Sequence, residues 1–111
     1  MSKKEYLKKD VRREQILSAA MDIALVNGYG TLTRDGVAIK AGVAAGQVNR
    51  IFATMPQLRR AVMRSAVSQL ELNSNNERML LILAEGLSRR ETSALNAPLE
   101  LKEAALQLLV G

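Results

Sequence analysis

Residues 37–52 read VAIKAGVAAGQVNRIF, and the fold turns on whether this stretch is one interrupted helix or two. Val37, Ala38 and Ala41 sit at helical spacing, and Val48, Ile51 and Phe52 repeat the beat further on. Between them stands Gly42, which tolerates positive φ and can end one helix and turn the chain into the next. Ala38 is small enough to let two short helices touch at a steep angle. The pattern predicts a helix-turn-helix: one helix over about 34–41, with Thr33 as its N-cap, and another over about 45–52. At ~100° per residue the second helix turns Val48, Ile51 and Phe52 inward and Gly46, Gln47, Asn49 and Arg50 outward. Glutamine and asparagine can pair bidentately with adenine, and arginine with guanine or a phosphate. A polar outer face is also ordinary for an amphipathic helix, so the flanking sequence has to decide.

Upstream, Ile16, Ala19, Ala20 and Ile23 follow the i, i+3, i+4, i+7 rule, with Asp10 as a candidate cap and the NGYG turn at 27–30 as the stop. Downstream, TMPQ at 54–57 predicts a fourth helix, with Thr54 as N-cap, Pro56 in the first turn and Gln57 completing a capping box. Its expected inner face is Leu58, Ala61, Val62, Ser65, Gln69 and Leu72. Ser74 with Glu77 suggests a second capping box opening a fifth helix, and a sixth follows Pro98. No run alternates β-branched and aromatic residues with polar ones, so no strand is expected and the fold class is all-α.

The composition agrees. Of 111 residues, 48 % are hydrophobic and only three are aromatic, so one domain with an aliphatic core is expected. The chain has no cysteine and no histidine, which removes disulfides, thiolate or imidazole metal sites and Cys or His catalysis. No carboxylates or lysines cluster beyond ordinary helix-surface spacing, so the expectation is no enzyme, no metal and no cofactor. No apolar run is long enough to span a membrane, and the basic start MSKKEYLKKD is not followed by the apolar segment of a secretory signal. A cytoplasmic protein without a membrane partner is expected. The net charge is +5, distributed unevenly: residues 1–60 carry eleven Lys/Arg against five Asp/Glu, and residues 61–111 carry five against six. The first half is polarised towards an anionic partner, such as nucleic acid.

REQILSAAMDIALVNGYGTLT, VAIKAGVAAGQVNRIF and ATMPQLRRAV, in this order, resemble the N-terminal DNA-binding domain of TetR-type repressors. The matching positions are Ile16, Leu17, Ala19 and Ala20, then NGY at 27–29, Thr31 and Thr33, then Val37, Ala38, AGV at 41–43, Gly46, Val48, Phe52 and Leu58. The likeness covers about residues 13–67. It implies a three-helix head whose third helix reads the major groove, a linking fourth helix, and a homodimer on a palindromic operator. It implies phosphate contacts from Thr33 and Thr54, base or adjacent-backbone contacts from Ala44, Gln47 and Asn49, and a base or phosphate contact from Arg50; Ala45 and Gly46 complete the candidate DNA-binding set. Arg34 replaces a usually apolar position and is a further candidate. Ala45 stands where the family often has lysine, and Asn49 and Arg50 where aromatic residues are frequent.

The expected organisation is a basic N-terminal arm at 1–9, a head at 10–53, and a linking helix with dimerisation helices at 54–111. Lys8, Lys9 and Arg12 would meet phosphates, as part of either a flexible arm or a helix extension. From Ser74 onward 38 residues remain, too few for the long helices that enclose a ligand pocket in the family. This argues against a small-molecule effector. The terminal helices carry apolar residues on more than one face, which predicts a dimer interface through Met79, Leu80, Ile82, Leu83, Leu87, Leu101, Leu106 and Leu109. Two function classes follow: a sequence-specific transcriptional regulator, read as a repressor of palindromic operators, and a protein–protein adaptor that uses its apolar C-terminal helices without specific DNA binding.

Overall fold

Gly28 and Gly42, at φ 104° and 73°, divide the first half of the chain into helices. The structure, a computed structural model, describes residues 3–110, with side chains from residue 8 onward. Helix α1 spans Lys3–Asn27, a single 3-10 turn covers Tyr29–Thr31, and α2 (Arg34–Ala41) and α3 (Ala45–Ile51) follow. Then come α4 (Met55–Leu72), α5 (Glu77–Ser88), the short α6 (Thr92–Leu95) and α7 (Leu99–Val110). The fold is all-helical, with no strand among the described residues. None of the described helices is long and apolar enough to cross a membrane.

Local chemistry explains most boundaries. Thr33 Oγ1 accepts from the Gly36 N–H at 3.1 Å and starts α2. Gly42 ends it in a Schellman turn: the Val43 N–H reaches the Ala38 carbonyl at 3.0 Å, and the Gly42 N–H the Ile39 carbonyl at 3.2 Å. Thr54 Oγ1 accepts from the Gln57 N–H at 3.3 Å and starts α4. The Gln57 side chain answers one residue earlier than a capping box requires, accepting from the Ala53 N–H at 3.0 Å.

Two expected boundaries are corrected, and one helix is added. Helix α1 does not begin at Asp10: it starts at Lys3, leaving Asp10 exposed inside it. Lys8 and Lys9 therefore ride on a helix continuous with the head, while residues 1 and 2 of the expected arm lie outside the described residues. The fifth helix is capped by Asn76, whose Oδ1 accepts from the Met79 N–H at 3.0 Å, and not by Ser74. The C-terminal part also contains α6, which lacks both an apolar period and a side-chain cap.

One core runs through every helix. Ile16, Ala20 and Ala24 of α1, Val37 of α2 and Val48 of α3 close on Leu58 and Val62 of α4. The same cluster continues through Met63, Ala66 and Leu70 into Ile82 and Leu83 of α5 and Leu101 and Ala105 of α7. The inner face of α4 is thus rotated from the expected one: Met63, Ala66, Val67 and Leu70 are buried, Gln69 is exposed, and Leu72 is 90 % exposed. Gly86 lets α5 approach α4 and α6 closely, since a Cβ there would stand 2.5 Å from Met63 Cε and 2.9 Å from Ala94 Cβ.

The expected dimer surface is largely inside this core. Met79, Leu80, Ile82, Leu83 and Leu101 are all buried in the chain's own interior, because α5 is clamped between α4 and α7. Of the predicted set only Leu87, partly buried, and Leu106 and Leu109, both exposed, remain at the surface.

Candidate nucleic-acid interface

Helix α3 is short, contains Gly46 and has no side-chain cap, so its own hydrogen bonds hold it weakly. Its position comes from burial: Val48 and Phe52 are in the core and Ile51 is half-buried against it. That seating leaves Gly46, Asn49 and Arg50 exposed, three of the four residues expected to turn outward. Gln47, the fourth, is half-buried, and Ala45, beside the inward arc, packs partly against the core.

Arg12 explains Gln47. Its Nη1 donates to Gln47 Oε1 at 2.5 Å, joining α1 to α3. Arginine has no acceptor, so the amide orientation follows from chemistry: the carbonyl faces Arg12 and the NH2 group points away. The Arg12 contact thus competes for the acceptor that a bidentate pairing with adenine would use and leaves the NH2 donors unengaged by it. Among the described residues the other N–H groups of Arg12 have no hydrogen-bond partner, and guanidinium donors suit an anion.

Lys8, Lys9, Arg12, Gln47 and Arg50 converge on one cleft of about 250 Å³, with Ile51 in its wall. Lys8, Lys9 and Arg12 of α1 and Gln47 and Arg50 of α3 thus line one surface. Thr33, Arg34, Ala44, Gly46, Asn49 and Thr54 do not line it. Thr33 and Thr54 are exposed, with their hydroxyls engaged in capping α2 and α4; Arg34 is half-buried in the first turn of α2; Ala44 is the exposed N-cap of α3.

Three cations missed in the sequence lie beside this cleft. Arg13 stacks its guanidinium over the Phe52 ring, 5.1 Å from the centroid. With Arg60, Arg64 and Gln57 it lines a second cleft of about 290 Å³. Lys9, Arg13 and Arg50 line a smaller one between the two, together with Asp10. The doublets Arg12-Arg13 and Arg59-Arg60 were a visible signal, but only the packing of α1 against α4 shows which members share a face. Among the described residues the one ion pair is Arg89–Glu85, at 3.2 Å, so no described carboxylate bridges any of these cations.

Searches of protein-family models and of curated proteins gave no match to this chain. The functional reading therefore stands on the chemistry of this surface.

A different polar contact joins the turn after α1 to α4 and to the segment before α6. Tyr29 is buried, and its hydroxyl donates to Glu91 Oε1 at 2.6 Å, with the Arg59 carbonyl at 3.2 Å. Burial, and then the hydrogen bond to the Glu91 carboxylate, push the phenol well above its usual range. The Arg89 guanidinium covers the ring at 5.6 Å from the centroid.

Proposed function

We propose that this chain is a sequence-specific DNA-binding regulator, a repressor that binds a palindromic operator as a homodimer. In this reading α1–α3 form a TetR-like head, and α3 enters the major groove. The observation that carries it is the joining of Gln47 and Arg50 of α3 to the cations of α1 in one cleft, next to two short helices separated by a turn at Gly42. Asn49 and Arg50 have the chemistry to address base edges, and Lys8, Lys9 and Arg12 that to address phosphates.

The dimer contact in this proposal is the apolar groove of about 440 Å³ between α5 and α7, walled by Leu87, Leu95, Leu99, Leu106 and Leu109. It replaces the interface expected from the sequence, most of which is core. A second copy would cover leucines that the monomer leaves open.

The test is titration of a bound duplex with the wild type and with Gln47→Ala and Arg50→Ala. Each variant should keep its helical circular dichroism and lose about 1–3 kcal/mol of specific binding. Unchanged affinity in both folded variants removes α3 from the reading role.

A further inference from the structure

Arg60 and Arg64 stand one turn apart on the exposed edge of α4, and Lys9 and Arg13 one turn apart on α1. Like charges at this spacing repel each other. Among the described residues no carboxylate forms an ion pair with them, and Asp10 is the one acid lining the three clefts. Neighbouring clefts share residues: Lys9, Arg50 and Ile51 line both the first and the middle one, and Arg13 and Ile51 both the middle one and the α4 one. The cations therefore form one continuous strip, from Lys8 past Arg50 to Arg64, that passes the end of α3 and leaves it along α4.

We infer that the α4 end of this strip, Arg13 with Arg60 and Arg64, is a second phosphate-binding track, which holds the DNA backbone outside the base pairs that α3 would read. The inference rests on the DNA-binding reading and extends it. Three features favour a duplex backbone. The strip is continuous with the α3 face, so a strand lying on one is led to the other. Its cations succeed one another along a groove, as phosphates do along a strand. Arg13 is fixed over Phe52, which seats α3, so the track and the reading helix share a rigid support. An anionic membrane fits less well, because the apolar side chains of the α4 cleft, Ile51, Phe52 and Ala61, are buried or half-buried rather than projecting beside the cations.

The experiment measures the salt dependence of operator binding for the wild type, for Arg60→Gln/Arg64→Gln and for Arg60→Lys/Arg64→Lys, with hydroxyl-radical footprints of each complex. Loss of two phosphate contacts should make the slope of log K against log salt shallower by about 1.8. Protection at the flank of the footprint should disappear while base preference stays the same, and the lysine variant should restore the slope. A wild-type slope and footprint in the glutamine variant overturn the track and leave the α3 reading intact. A wild type that binds no duplex overturns both. Binding to vesicles of anionic lipid that is lost in the glutamine variant, with duplex binding unchanged, assigns the track to a membrane and overturns it as a DNA contact.

Discussion

Gln47 is the residue whose surroundings change its meaning. On a bare helix its amide could offer adenine both an acceptor and a donor. Here the carbonyl accepts from Arg12 at 2.5 Å, which occupies one of its two lone pairs and turns the NH2 group away from Arg12. Under the proposed DNA-binding reading, guanine, with acceptors at N7 and O6, is the base this arrangement would favour. Arg12→Met would release the carbonyl. Competition among duplexes that differ at the base pair under Gln47 should then show a shift from guanine towards adenine, with discrimination on the scale of a bidentate pair, about 1–3 kcal/mol. An identical base preference in wild type and variant would show that Arg12 does not orient Gln47. The residue types on this face were legible in the sequence because helical period alone turns them outward. The Arg12 contact was not, because it joins positions 35 residues apart.

Helices show the same division between local and distant causes. Thr33, Gly42 and Thr54 act within their own turns, and the sequence placed the ends of α2 and the start of α4 correctly for that reason. The NSNN segment holds several residues able to cap, and choosing Asn76 over Ser74 depends on where α5 must sit. The start of α1 was set too late because the basic run before Asp10 carries no apolar period, yet it continues the helix. At the end of α5, Arg90 adopts a left-handed conformation at φ 56° that closes a Schellman turn, with the Glu91 N–H bonded to the Gly86 carbonyl at 2.9 Å. This turn delivers Glu91 to Tyr29 and ties the segment before α6 to the 3-10 turn after α1. Tyr29→Phe removes a hydrogen bond to a carboxylate whose Oε2 is already buried without a partner. Urea unfolding should show a loss of about 2 kcal/mol. The pH dependence has a definite sign. The folded state keeps the phenolic proton beyond the ordinary value of 10.0, so this contribution is complete below pH 10 and is lost as the pH rises through the alkaline range. In Tyr29→Phe the alkaline decline should be shallower; an equal decline in both proteins would show that Tyr29 does not cause it.

At the scale of the molecule, the C-terminal helices have two apolar sides, and the sequence could not say which side the chain keeps for itself. The structure gives Met79, Leu80, Ile82, Leu83 and Leu101 to the core, because α5 lies between α4 and α7, and leaves Leu95, Leu99, Leu106 and Leu109 open. The proposed dimer uses that open side. Leu106→Lys/Leu109→Lys places charges on exposed positions of α7, so folding should survive while self-association fails. Sedimentation should show a 24 kDa wild-type species, twice the 12.1 kDa chain, and a monomeric variant. A monomeric wild type at micromolar concentration contradicts the dimer.

The cations and the α3 face meet only in three dimensions, and their joint role is the central claim. Selection of bound duplexes from a random pool by the purified protein tests it most directly. The account predicts enrichment of a two-fold symmetric site, with half-sites about one helical turn apart, and loss of that enrichment with Arg50→Ala. A pool that shows no sequence enrichment with the folded wild-type protein would contradict it.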